Sequence, residues 1–242
     1  VRKAADGHLS SAGAWPVRWH RVVPARLAER RWLTGEGSLT QRLRQASATF
    51  GVLRLAQHRG GACHDELPCI RPAARPGAGA AGGAEAGATA GRPRGTARPR
   101  TVLSREVLLL CDGLPTVWAH SVIDAAALRG RWRWLAGLGN RPLGEALFRD
   151  PQVRRGPLSF RRLRAPDPRY LGAAAELSAR GLSVPRALWA RRSVFVAGGR
   201  QLLVTEVFLP AVASLPPVRA VRPAILRPQD RAPAADDLPD GR

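Results

Sequence analysis

The sequence predicts an α+β fold, a single antiparallel sheet of about six strands with helices packed on it. Three observations carry this expectation. The stretch Leu188 to Pro210, LWARRSVFVAGGRQLLVTEVFLP, reads as two strands around a tight turn. A second stretch, Thr101 to Ile123, repeats the pattern around Cys111-Asp112-Gly113-Leu114-Pro115. Short helix-start signals lie before and between these hairpins. Hairpins alternating with short helices give an antiparallel sheet with helices on it.

The elements follow in order. Val1 to Pro24 is mixed in composition and is expected to be a poorly ordered start, leading into a helical segment near Ala25 to Leu33. Ser38 followed three residues later by Gln41 is a capping box, which opens a short helix from Leu39 to about Ala46. The Leu39 amide then lies in the first turn, where N–H groups lack intrahelical partners. Phe50 to Ala56 alternates like a strand. Arg71 to Arg100 is Ala, Gly, Pro and Arg with almost no large apolar residue. Such a segment cannot bury enough surface to offset its ordering entropy. It is expected to be a disordered insertion between two strands of one domain spanning residues 25–210.

Thr101 to Leu110 is a strand in which Leu103, Arg105, Val107 and Leu109 share a face. Thr116 to Ile123 returns from the turn. Ala125 to Leu138 reads as a helix ended by Gly139-Asn140. Pro142 suits the first turn of the next short helix, so the Leu143 amide is a second free helix-start donor. Pro157 to Arg164 is a further strand, and Leu171 to Arg180 a short helix. In the last hairpin, Ser193 to Val196 pairs with Leu202 to Leu209, and Gly198-Gly199 can take the positive φ angles of a two-residue turn. Leu202, Val204, Glu206 and Phe208 share a face. Beyond Pro210, residues 211–242 are rich in Pro, Arg, Ala and Asp and are expected to form a disordered tail.

Composition bounds the function. The chain has 242 residues, 45% hydrophobic, with a formal charge of +21. That charge alone would suggest nucleic acid. Lys3 is the only lysine, however, and Ala, Gly and Pro are abundant too. This joint skew is what GC-rich coding produces, so no specific nucleic-acid recognition is expected. Cys63, Cys69 and Cys111 are too few and too loosely spaced for a disulfide scaffold or a zinc site. The count fits a reducing, cytoplasmic setting. No run approaches 18 apolar residues and no secretory leader is recognisable, so no transmembrane helix is expected.

Arg105 and Glu206 stand out as single charges in apolar rows. Burying either is costly unless it is paired. An Arg beside two free helix-start amides, Leu39 and Leu143, makes a carboxylate site, because the guanidinium fork matches carboxylate geometry. A carboxylate at the far side would accept a hydroxyl. The implied ligand is small and flat, with a carboxylate at one end and a hydroxyl at the other. The alternative is that Arg105 and Glu206 simply pair with each other in the core. If each is a lone charge serving a ligand, removing either should leave the fold intact.

At these residues the sequence resembles the chorismate lyase family. The matching segments are WLTGEGSLTQRL (32–43), REVLLLCDGLPTVWAHSVI (105–123), LGNRPLGEALF (138–148), ARRSVF (190–195) and LLVTEVFLP (202–210). The resemblance implies conversion of chorismate to 4-hydroxybenzoate and pyruvate at the entry to ubiquinone synthesis, by a monomer that needs no cofactor or metal. It places the ring-carboxylate Arg on Arg105, the Glu at the ring hydroxyl on Glu206, and the two backbone donors on Leu39 and Leu143. Arg191 and Arg192, read as lying before the hairpin, are candidates for the enolpyruvyl carboxylate or else solvated surface arginines. His120 stands where the family often has Arg, which bears on any second basic contact to substrate, and Asp124 where it often has Pro. A non-enzymatic effector-sensing domain of the same fold is the competing reading. Such regulators carry an upstream winged helix-turn-helix domain, for which the 31 residues before Trp32 are too few.

Overall fold

A computed structural model of the chain describes residues 18–24, 29–70 and 101–217. The Arg71 to Arg100 insertion and residues 25–28 lie outside the described residues. The helices are α1 (Arg30–Thr34), α2 (Leu39–Gln45), α3 (Leu143–Arg149) and α4 (Pro168–Ser178). The strands are β1 (Phe50–Gly60), β2 (Val102–Cys111), β3 (Leu114–Asp124), β4 (Arg154–Arg155), β5 (Ser159–Leu163), β6 (Leu188–Ala197) and β7 (Arg200–Phe208). All pair antiparallel in the order β1-β2-β3-β7-β6-β4, with β5 also on β6. The count of seven exceeds the expected six or so by the two-residue β4.

The turns follow from their residues. Asp112 and Gly113 both have positive φ between β2 and β3, as do Gly198 and Gly199 between β6 and β7. Two positive φ values match the right-handed twist of a hairpin. Ser38 caps α2 by accepting the Gln41 amide at 3.3 Å.

Four expectations are corrected. The segment from Ala125 to Leu138 is two 3₁₀ turns, Ala125–Arg129 and Arg133–Gly137, broken at Gly130, whose ψ of −137° is not helical. Asp124, whose side chain accepts the Ala126 amide, caps the first turn. Strand β6 begins at Leu188, so Arg191 and Arg192 sit inside it. Residues 211–217 are not loose, because a 3₁₀ turn at Pro210–Ser214 buries Val212 and Leu215 in the core. At the other end His20 bridges to Phe160 and Val23 is buried, so the folded unit reaches beyond residue 25.

The sheet has two covered faces. The front face carries α1 to α3 and the 3₁₀ turns, over clusters centred on Trp32, Leu43, Phe208, Ile123, Trp132 and Leu202. The reverse face carries α4 and the 61–70 segment. There Trp118 packs so closely on α4 that a Cβ at Gly172 would lie 2.8 Å from its ring. No helix among the described residues is long and apolar enough to cross a membrane.

The reverse face also holds an ion network. Arg169 bonds Asp167, Asp65 (3.0 Å) and the fully buried Glu66 (3.4 Å), and Arg192 bonds Asp65 at 3.0 Å. His120 lies 3.4 Å from Glu66 and 3.5 Å from Glu106, stacked on Trp118. Burial acts most strongly on His120 and opposes its charge. Glu106 and Glu66 together outweigh that and raise its pKa from 6.5 to about 9. A raised folded pKa stabilises fully below the unfolded value and is lost as pH rises through the folded value. The protein should therefore lose roughly 2–4 kcal/mol between about pH 6.5 and pH 9 from this group. Urea midpoints across that range, for wild type and His120→Gln, check this; parallel pH profiles would remove His120 as the cause.

Helices α2 and α3 meet at their starts. A Cβ on Gly144 would lie 2.8 Å from Thr40 Oγ1 and 3.4 Å from Ser38 Oγ. Arg44 on α2 pairs with Glu145 on α3. Gly144→Ala should then cost about 1–3 kcal/mol by overpacking, read from the denaturation midpoint. No change would mean that Thr40 turns aside freely.

Candidate active site

Strand register lays out the front face as a grid. One row across the sheet reads Arg105 on β2, Ser121 on β3, Val204 on β7 and Ser193 on β6. The next reads Val107, Ala119, Glu206 and Arg191. Small residues at Ser121, Ala119 and Ser193 leave space above the sheet, and α2 and α3 roof it. The result is a cavity lined by these residues together with Leu39, Leu143, Leu147, Phe148, Arg155 and Phe195. The centres of water-sized molecules have about 50 Å³ in it, which limits an occupant to a small molecule.

All four residues singled out from the sequence line this one cavity: Leu39, Arg105, Leu143 and Glu206. Arg105 and Glu206 do not pair with each other. Strand β3 stands between theirs, and they are one pleat apart along it. Two strand spacings and one such step separate their Cα atoms by about 12 Å.

Arg105 is 2% exposed. Its Nη2 donates to the carbonyls of Gly139 (2.8 Å) and Arg141 (3.2 Å), while its buried Nε has no hydrogen-bond partner. The left-handed Gly139, with φ +59°, turns the chain that presents these carbonyls. No carboxylate among the described residues forms an ion pair with Arg105. Burial, and then the nearby Arg54, push its pKa down to about 10. Its charge is thus buried against carbonyl dipoles alone, at the edge of a cavity.

Glu206 is held differently. Its Oε2 accepts from Arg191 Nε at 2.5 Å, and Oε1 takes no hydrogen bond among the described residues. Arg191 is 1% exposed, and its Nη1 also donates to the carbonyls of Trp32, Leu33 and Gly35 at 3.0–3.1 Å. It is therefore not a surface arginine, and its Nε and Nη1 are engaged by protein. Arg192 is one residue on and projects to the reverse face, into the Asp65 network. His120 is on that face too, with Glu66 and Glu106 and outside the cavity lining. Sequence reasoning missed Arg155, which lies in a two-residue strand with no periodicity to mark it.

The arrangement can hold a carboxylate at the Arg105 end, and Leu39 and Leu143, in the first turns of the roofing helices, line the same cavity. At the Glu206 end it can accept a hydroxyl proton. Apolar Val107, Leu109 and Val204 lie between. Such an arrangement can take a flat ring with opposite polar ends.

The chorismate lyase family model matches residues 95–215. A "Probable chorismate pyruvate-lyase" of Cupriavidus metallidurans is 45% identical over 196 residues, 79% of each chain. Another, of an Azoarcus species, is 43% identical over 86% of this chain and 97% of its own. Among solved structures, the effector domain of PhnF from Mycobacterium smegmatis aligns with a TM-score of 0.45 and 14% identity, over 73% of this chain and 91% of that one. At 43–45% identity over most of both sequences, the chain belongs to the chorismate lyase family.

Proposed function

We propose that the cavity removes the enolpyruvyl group of chorismate as pyruvate and leaves 4-hydroxybenzoate. The observation that carries the reading is Arg105, a buried cation without a carboxylate partner among the described residues, lining the same cavity as the carboxylate of Glu206. A ring carboxylate supplies the counter-charge that Arg105 lacks. The Leu39 and Leu143 amides add hydrogen bonds to it.

In this reaction the bond between ring C3 and the ether oxygen breaks. The ring loses its C4 hydrogen as it becomes aromatic, and the enol fragment gains a proton at its methylene carbon to give pyruvate. Aromatisation supplies driving force, so the protein's task is positioning and electrostatics. Arg105 and the two amides fix one end of the ring. Glu206 accepts the hydrogen bond of the 4-hydroxyl at the other, which holds C4 and the neighbouring ether in a fixed orientation. Arg191 keeps Glu206 in place. The apolar wall keeps water from competing for these contacts. We assign the soluble, monomeric state and a cytoplasmic setting as part of this proposal.

Arg105→Ala should weaken 4-hydroxybenzoate binding by about 1.5–3 kcal/mol, the scale of a charged hydrogen bond. Its melting temperature should hold, since an uncompensated buried charge is removed. Glu206→Gln should lower turnover of chorismate while retaining much of the affinity for 4-hydroxybenzoate. Glu206→Ala should instead lower stability as well, because it leaves Arg191 buried without its carboxylate. Calorimetric titration and melting curves separate these effects. Full affinity for 4-hydroxybenzoate in Arg105→Ala would sink the assignment of the carboxylate end.

A further inference from the structure

Chorismate carries two carboxylates, and Arg105 can answer only one. We propose that Arg155 receives the second, the enolpyruvyl carboxylate, and so sets the preference for a dianionic substrate over simple benzoates. This rests on the functional reading above and deepens it.

Arg155 is brought to the cavity by β4, whose pairing with β6 sets it opposite Phe195. Its Nε donates to Ser193 Oγ at 3.0 Å, and its Nη1 to the Gly37 carbonyl at 3.2 Å. The rings of Phe148 and Phe195 lie 5.7 and 5.6 Å from its guanidinium carbon. These contacts hold the group in place, and none of them neutralises it. No carboxylate among the described residues lies within ion-pair distance of Arg155. Its Nη2 makes no hydrogen bond among them.

Position favours the ether end of the ring. Ser193 stands one pleat from Arg191 on the same face of β6, so Arg155 is anchored beside the Arg191–Glu206 pair. Arg105 lies in the Ser193 row three strands away, about 14 Å between Cα atoms. In chorismate the enolpyruvyl ether is attached next to the 4-hydroxyl. A ring held with its carboxylate on Arg105 and its hydroxyl on Glu206 therefore directs the ether substituent to one flank of Glu206. Of the arginines near Glu206, Arg191 is already paired with that carboxylate and Arg192 faces away. Arg155 has donors to offer and lines the cavity.

The test compares ligands that differ by the second carboxylate. Arg155→Gln should raise KM for chorismate by roughly ten- to hundredfold, the effect of one charged hydrogen bond. Its Kd for 4-hydroxybenzoate should stay within about threefold of wild type. The probe 3-(carboxymethoxy)-4-hydroxybenzoate, with a ring carboxylate and a second one on an ether next to the 4-hydroxyl, should lose affinity in the variant to the same degree, and 3-methoxy-4-hydroxybenzoate should not. Parallel loss for both probes, or no loss for either, would overturn the proposal, since a structural role or no role would produce those patterns. If the glutamine variant fails to fold, Arg155→Lys keeps the charge without the fork and should show a smaller loss confined to the dicarboxylate. Wild type that binds the dicarboxylate but leaves chorismate intact would count against the lyase reading while leaving the role of Arg155 to the probe pair.

Discussion

The Arg191–Glu206 pair is the interaction on which the front of the molecule depends. Arg191 reaches Glu206 across the β6–β7 hairpin and, with its other nitrogen, the carbonyls of Trp32, Leu33 and Gly35. Those carbonyls close α1 and set the path of the chain into Gly37 and the cap at Ser38. The cap starts α2, whose first-turn amide belongs to Leu39. One buried guanidinium thus fixes a carboxylate on the sheet and a helix start above it. A desolvated pair of this kind adds little net stability against an apolar substitute. What it gives is a single arrangement, because Glu206 is the carboxylate that matches Arg191 and three carbonyls fill much of what remains.

The other end of the cavity is built on the opposite principle. Arg105 has carbonyl acceptors but no carboxylate partner among the described residues, and one of its buried nitrogens is left without a bond. A charge buried in this way is costly, and an anionic ligand relieves the cost. Affinity for a carboxylate is therefore stored in the folded structure at Arg105, while the Arg191–Glu206 pair is already satisfied. That asymmetry gives the cavity a direction, and on the proposed reading it orients a hydroxybenzoate ring between the two ends.

Much of this was legible in the chain itself. Period-two alternation marked Arg105 and Glu206 as charges in apolar rows, and cap chemistry at Ser38 and Pro142 located the Leu39 and Leu143 amides. The four do line one cavity. What local pattern could not reveal was partnership. Glu206 was expected to be a lone charge, yet its partner Arg191 lies on a strand whose start was set too late, so Arg191 was read as lying outside it. Ala125 to Leu138 reads as one helix in the sequence, but Gly130 breaks it into two 3₁₀ turns. Arg155 was invisible because a two-residue strand has no periodicity, and its place depends on pairing with β6. The expected insertion at Arg71 to Arg100 lies outside the described residues.

The same alternation keeps two charge systems apart. Arg191 and Arg192 are neighbours in sequence, yet one holds Glu206 and the other holds Asp65 through the opposite face. On β3, Ala119 and Ser121 floor the cavity while His120, between them, joins Glu66 and Glu106 behind the sheet. A one-residue slip in either strand would exchange the two sets, placing carboxylate-bound cations in the cavity and stranding the reverse-face acids. Register is therefore specified by charge as well as by apolar burial. The dense reverse-face network, with Arg169 shared among Asp65, Glu66 and Asp167, keeps those cations paired with acids behind the sheet. The cavity then keeps the three arginines that line it, and one of those is already balanced by Glu206.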